Sequence, residues 1–213
     1  MPAHNEEEHI VGSLDAVLRA APGAGVPVTV TVVLDDCTDR TADRIPVGVR
    51  SVAVSHRSAG AARRAGLLGA PAGPGVWYAT TDADSFVPGN WLSAMVASAR
   101  EHDLVAGTIR VADWSGRDDR VRRWHDDGYR TRPGHGHIHG ANLAVSAAAY
   151  HAVGGFRPLS EHEDVDLVSR CLAAGFVVDW SDSAPVITSA RHHNRVGGGF
   201  GGLLNRFEEG LIP

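Results

Sequence analysis

The sequence predicts a single α/β sandwich domain, with helices on both faces of a mixed, mainly parallel central sheet. Three observations carry this. Stretches rich in β-branched residues alternate with stretches of helical periodicity. Two predicted strands run straight into acidic loops, at Asp35-Asp36 and at Asp82-Ala83-Asp84. The 213 residues, 43% hydrophobic, are the length of one ordinary domain, which buries roughly 70% of the surface its unfolded chain exposes.

The elements follow in order. Asn5 before Glu6, Glu7 and Glu8 reads as an N-cap with acidic residues in the first helical turn, where the helix dipole favours them. Ile10, Leu14, Val17, Leu18 and Ala21 keep helical spacing, and Ala-Pro-Gly at 21–23 ends the helix. Residues 28–34 (VTVTVVL) read as a strand covered on both faces. A second strand spans 76–81, followed by a helix with Trp91, Leu92, Met95, Val96 and Ala99 on its apolar positions. A strand at 104–111, a helix at 165–174 closed by Gly175, and a strand at 176–180 complete the pattern. Residues 116–132, dense in charge with Val121, Trp124 and Tyr129 interspersed, read as an amphipathic helix, or as a wall on which Trp124 or Tyr129 stacks a sugar.

A net charge of -5 gives no electrostatic basis for binding nucleic acid or an anionic membrane. Cys37 and Cys171 form no metal or disulfide pattern, which suits a reducing, cytoplasmic setting. No stretch approaches the ~18 apolar residues of a transmembrane helix, and Glu6 to Glu8 stand where a signal peptide would be basic and then apolar. Oligomeric state is not legible in the sequence.

Asp82 and Asp84, two residues apart on a strand-to-helix loop, suit one hard divalent cation bridging to phosphate oxygens; the plain alternative is a polar turn. Asp35-Asp36 with Thr38, Asp39 and Thr41 could hydrogen-bond a nucleobase and ribose, or cap a helix. Glu161, Glu163, Asp164 and Asp166 crowd a helix start, and Asp164 could point into a cleft.

Together, Pro2-Ala3-His4-Asn5-Glu6-Glu7, Asp35-Asp36 with Thr38 and Asp39, Asp82-Ala83-Asp84, Gly140-Ala141-Asn142 and Glu163-Asp164 occur in the order seen in family-2 glycosyltransferases, which this chain resembles over nearly its whole length. The resemblance implies a GT-A fold and inverting transfer of a hexose from a nucleotide-diphosphate sugar, UDP by default and GDP as the alternative, to an acceptor hydroxyl. It implies that Ala3, Asn5 and Glu6 line the nucleotide pocket, that Asp36 meets the base, and that Asp82 and Asp84 serve the ribose, the diphosphate and a Mn²⁺ or Mg²⁺ ion. Asp164 would be the catalytic base, with Glu163, Gly140, Ala141 and Asn142 beside the acceptor. Residues 1–111 would form the donor half and 112–213 the acceptor half.

In the same comparison Arg57, Ser58, Gly60, Arg63 and Gly66 match the segment between the base and metal motifs, and Arg63 could contact the donor or lie on a surface helix. Residues 189–202 match a lid over the diphosphate, with Arg191 and Arg195 as phosphate partners and His193 or His192 as a third metal ligand. The family carries an apolar strand ahead of its first motif, whereas here the motif begins at Pro2, so that strand is expected to be missing or truncated. A non-catalytic nucleotide-sugar binder is therefore a second reading. A third rests on His135, His137 and His139, whose alternation on an extended strand would suit zinc in a hydrolase, although Gly134, Gly136 and Gly140 weaken such a strand.

Overall fold

The computed structural model describes residues 1–129, 131–190 and 199–212. The chain runs β1 (Pro2–Ala3), α1 (Ile10–Ala20), β2 (Thr31–Asp35), β3 (Arg50–Val54), α2 (Ala59–Leu67), β4 (Trp77–Thr80), α3 (Trp91–Ser98), β5 (Leu104–Val111), α4 (Asp119–Gly128), β6 (Leu143–Ser146), α5 (Ala147–Ala152), α6 (Glu163–Ala173), β7 (Val178–Thr188) and α7 (Gly199–Glu208).

Strands and helices alternate as expected, but the strands form two sheets instead of one. The first has the parallel order β1-β2-β3; the second, β4-β6-β5-β7, pairs β6 antiparallel to both neighbours and β5 parallel to β7. The expected first strand is present in short form. Pro2 and Ala3 pair with Val33 and Leu34, and Val33 N–H donates to the Met1 carbonyl. No ladder joins β1 to β4 among the described residues, and the sheets meet through packed side chains. Met1 and Val30 touch both the cluster of Ile10, Leu14, Val32 and Ala83 and the one around Val17, Trp91, Met95 and Ile109. A further cluster of Leu104, Leu143, Phe156, Leu167 and Val168 fixes α6 against the second sheet. Each such fully buried aliphatic or aromatic side chain contributes about 1.5–3 kcal/mol of transfer free energy.

Several boundaries differ from expectation for local reasons. The first helix begins at Ile10, not after Asn5, because Asn5 has φ 54°, outside the helical region, and its side chain serves another loop. The strand expected over 28–34 is confined to Thr31–Asp35 because the ladders with β1 and β3 exist only there. The last strand extends to Thr188, since its second half pairs with Ile109, Arg110 and Val111 beyond a bulge in register. The glycine-rich stretch expected as a lid loop is helical from Gly199, where Phe200, Leu204 and Phe207 at helical spacing join Val121 and Trp124 of α4 in one cluster. Among the described residues no helix is long and apolar enough to cross a membrane.

Candidate functional site

The parallel strands β1 and β2 and the second-sheet strand β4 deliver their carboxyl ends to one cleft of ≈ 400 Å³, the place where open α/β folds gather ligands. Ala3, His4, Glu6, Asp35, Arg63, Asp82 and Asp84 line one side; His139, Gly140, Ala141, Glu163 and Asp164 line the other; Phe200, Leu203 and Arg206 of α7 close a third.

On the first side, the end of β2 is an organiser. Asp35, buried, accepts backbone N–H bonds from His56 (2.6 Å), Arg57 (2.9 Å) and Ser58 (3.0 Å), and so sets the turn that leads into α2. Asp36, at φ 55°, is not part of the cleft wall but pairs at 3.2 Å with Arg57, which is. Asn5 is likewise off the wall: its Oδ1 accepts from Thr38 N–H (2.7 Å) and Asp39 N–H (3.3 Å), stapling the loop after β1 to the loop after β2. Glu6 N–H donates to Thr41 Oγ1 at 2.7 Å in the same staple.

Arg63 joins the two sides. Helix α2 is capped by Ser58, whose Oγ accepts from Ala61 N–H, and lies close to the sheet because Gly66 leaves room for Val33. That closeness takes Arg63 out of solvent, its side chain 4% exposed, so it is no surface residue. Its guanidinium donates from Nη2 to Asp82 at 2.5 Å and from Nη1 to Glu163. Gly140 faces the guanidinium so closely that any Cβ there would collide with it. Burial alone would weaken the Arg63 cation, but Asp82, Glu163 and Asp164 outweigh that and hold it more firmly protonated than usual. Burial pushes the Glu163 carboxyl up, against the pull of Arg63.

Glu163 and Asp164 open α6, after His162 in the left-handed region at φ 60°. Asp164 accepts from Gly140 N–H at 2.6 Å through Oδ2 and from Val165 N–H at 2.8 Å through Oδ1, while the Gly140 carbonyl accepts from Thr80 Oγ1 at 2.7 Å. The turn Gly140–Asn142 is thereby fixed between β4 and α6. Ala141 follows Gly140 on the wall, but Asn142 points into the core. Its Oδ1 accepts from Trp91 Nε1 (2.9 Å) and its Nδ2 donates to the Thr108 (2.8 Å) and Ala184 (3.0 Å) carbonyls, over a Gly107 that leaves no space for a Cβ. Asn142 thus positions the turn and does not touch the cleft.

The three histidines do not form a strand face. Gly134 and Gly136 have positive φ, and the imidazoles stack in a row, His135 to His137 at 5.3 Å and His137 to His139 at 6.2 Å, instead of converging on one point. Tyr129 joins the row, its ring 4.2 Å from His137, and Trp124 stacks on Phe207 at 4.5 Å; neither lines the cleft. His139 alone of the three histidines reaches it. Burial, then the neighbouring His137, His135 and His125, pull His139 down to about 3 from 6.5. The unfolded chain binds this proton below 6.5 and the folded chain only near 3. The resulting stability is present above 6.5 and is lost as pH falls towards 3, by at most about 1.4 kcal/mol per pH unit. Urea unfolding of wild type and His139→Asn at neutral and mildly acidic pH reads this directly: the variant is expected to lose part of the acid sensitivity. Identical pH slopes would mean that the ring is not held neutral.

The donor set suits a hard divalent cation: Asp82 and Asp84 offer carboxylate oxygens to the same cleft. Among the described residues no three Asp, Glu, His or Cys side chains form a preassembled cage. Arg191, His192, His193 and Arg195 lie outside the described residues. Sequence reasoning read Asp35 as a partner for base and ribose and not as the organiser of the turn, and it did not single out Arg206, which lines the cleft, or His4, whose Nδ1 lies 2.6 Å from the Asp35 carbonyl. The positive φ values at Arg57 and His162, which line the cleft, and at Asn5 and Asp36, in the loops behind its wall, are a structural mark no residue pattern announces.

The chain is similar in structure to TarS 1-349 of S. aureus in complex with UDP-GlcNAc (TM-score 0.65, 15% identity, 97% of this chain and 63% of that one). It is similar also to the mannosyltransferase PcManGT of Pyrobaculum calidifontis in complex with GDP-Man and Mn²⁺ (0.65, 16%, 91% and 56%). A third is GalNAc-T7 with UDP, GalNAc and Mn²⁺ (0.66, 14%, 88% and 42%). The chain therefore spans less than two thirds of the length of these structures. Comparison with curated proteins yields no match. The sequence profile described as Glycosyl transferase family 2 matches residues 1–157, which take in β1 to α5 and the walls formed by Ala3, Asp35, Arg63, Asp82, Asp84 and Gly140. The fold is that of a GT-A domain, and the chain belongs to glycosyl transferase family 2.

Proposed function

We propose that this domain is an inverting glycosyltransferase that moves a hexose from a nucleotide-diphosphate sugar to an acceptor hydroxyl. The observation that carries the reading is the Arg63 bridge: one buried guanidinium ties Asp82, on the donor side, to Glu163, the neighbour of Asp164, across a single cleft. Residues 1–111 then hold the nucleotide sugar and metal, and 112–213 hold the acceptor, apart from a C-terminal lid that closes on the donor diphosphate. Ala3, Glu6 and Asp35 form the wall for the nucleoside, with Asn5 and Asp36 acting on that wall through the loops they hold. Asp82, Asp84 and His193 would hold Mn²⁺ or Mg²⁺, which when bound supplies positive charge to the diphosphate oxygens.

In the transfer, the anomeric C–O bond to the diphosphate breaks as the acceptor oxygen forms its bond on the opposite face, through an oxocarbenium-like transition state. Asp164 accepts the proton of the attacking hydroxyl. Its two backbone N–H bonds aim the carboxylate, with no cation in direct contact among the described residues, while Glu163 is occupied by Arg63. Arg206, with Arg191 and Arg195, provides cations for the departing nucleotide diphosphate. UDP is the default nucleotide and GDP the alternative; similar folds are solved with each. Free Cys37 and Cys171 support a reducing, cytoplasmic location.

Calorimetric titration of UDP and of GDP, with and without Mn²⁺, tests the donor site. Mn²⁺-dependent binding of one nucleotide is expected, weakened at least about tenfold in Asp84→Ala. Failure of the protein to bind either nucleotide under both conditions would overturn the reading.

A further inference from the structure

Resting on that reading of the cleft, we propose that His139 positions the acceptor, presenting Nδ1–H to a hydroxyl oxygen next to the attacking one, in a tautomer fixed by Tyr129. The acceptor class this fits is a polyol or glycan with adjacent hydroxyls.

At the end of α4, Tyr129 N–H donates to the His125 carbonyl at 2.7 Å. The Tyr129 ring is then held between two imidazoles, 4.9 Å from His125 and 4.2 Å from His137, with interplanar angles of 14° and 13°. So clamped, its hydroxyl stands 2.9 Å from Ile109 N and 2.9 Å from His139 Nε2. A backbone N–H can only donate, so the Tyr129 oxygen accepts from Ile109. Its single hydrogen has one acceptor among the described residues, Nε2 of His139, and a buried hydroxyl hydrogen left unmatched would be costly. Burial raises the Tyr129 hydroxyl to about 12, so it stays a donor at neutral pH. With Nε2 accepting, the neutral imidazole carries its proton on Nδ1.

Nδ1 has no protein partner among the described residues, and His139 lines the cleft. The next residue, Gly140, donates its N–H to Asp164, and the His139 carbonyl accepts from Asn142 N–H at 2.9 Å. An aimed N–H donor and the proposed base are therefore attached to one immobilised peptide. A single isolated hydroxyl needs only the base. Two neighbouring hydroxyls use both groups, one losing its proton to Asp164 and the other accepting from Nδ1–H.

The test has two independent parts. Long-range ¹H–¹⁵N NMR of the whole protein at neutral pH should find the His139 proton on Nδ1, with Tyr129→Phe shifting it towards Nε2. Addition of methyl α-glucoside, methyl α-galactoside or methyl α-mannoside at high concentration should move the Nδ1 resonance. Nε2–H in the wild type, or no response to any of the three glycosides, overturns the proposal whether or not nucleotide binds. Where UDP-glucose or GDP-mannose is turned over with such a glycoside, His139→Phe should raise the glycoside KM roughly tenfold. Affinity for the nucleotide with Mn²⁺ should not change. His139→Asn, whose amide nitrogen lies near the Nδ1 position, should restore most of the loss. Loss of affinity for the sugar nucleotide in place of the glycoside, or equal loss in Phe and Asn, would overturn the acceptor role.

Discussion

Arg63→Met is expected to destabilise the fold by about 3–5 kcal/mol, the range seen when one partner of a buried ion pair is removed and the other left behind. Methionine fills much of the same volume, so the loss is electrostatic. Glu163, 6% exposed, would face Asp82 and Asp164 with no cation between them. Urea unfolding at neutral pH measures the effect, and the double variant Arg63→Met, Glu163→Gln should recover a large part because it removes the stranded charge. The pH dependence has a definite sign. Burial already pushes the Glu163 carboxyl above 4.5, and losing Arg63 pushes it further. A raised folded value means that the folded state binds the proton first, so the single variant gains stability as pH falls towards 4.5. Wild-type stability in Arg63→Met would show that the bridge does not hold the two sides together.

Asp164→Asn is expected to lower kcat roughly 10²- to 10⁴-fold while leaving nucleotide affinity intact, because the amide keeps the shape but cannot take the hydroxyl proton. The amide oxygen can still accept from Gly140 N–H, so the turn should remain in place. Nucleotide release from the sugar donor in the presence of acceptor, together with calorimetric binding, separates the two quantities. Glu163→Gln is the informative control: its partner is Arg63, so its main effect should be on stability. Unchanged turnover in Asp164→Asn would remove Asp164 as the base and favour a domain that binds nucleotide sugars without transferring them.

Much of the fold was legible in the sequence because its signals are local. The apolar spacing from Ile10 to Ala20, the β-branched run before Asp35 and the apolar strand Leu104–Val111 declare themselves within a dozen residues. Two strands did not. Arg50–Val54 is largely exposed and has little apolar periodicity, and Leu143–Ser146 is a four-residue strand passing directly into α5; both exist because neighbouring strands complete their ladders. The helix cap expected at Asn5 failed for a related reason, since its side chain gains more by serving the loop after β2 than by capping a turn of its own.

The sequence by itself determined which chemistry is available: carboxylates at the ends of β2 and β4, a carboxylate pair at the start of α6, and their order along the chain, which identified the family. Only the tertiary structure decided which of them share a cleft. Asp35 organises a turn while Asp36 pairs with Arg57 behind the wall, Asn142 serves the core while Gly140 faces the site, and of the stacked histidines His139 lines it. Local pattern sets residue type and spacing, but side-chain direction depends on backbone twists such as the positive φ at Asn5, Asp36 and His162. It depends equally on partners up to a hundred residues away, as Arg63 finds in Glu163, and short-range periodicity carries no record of either.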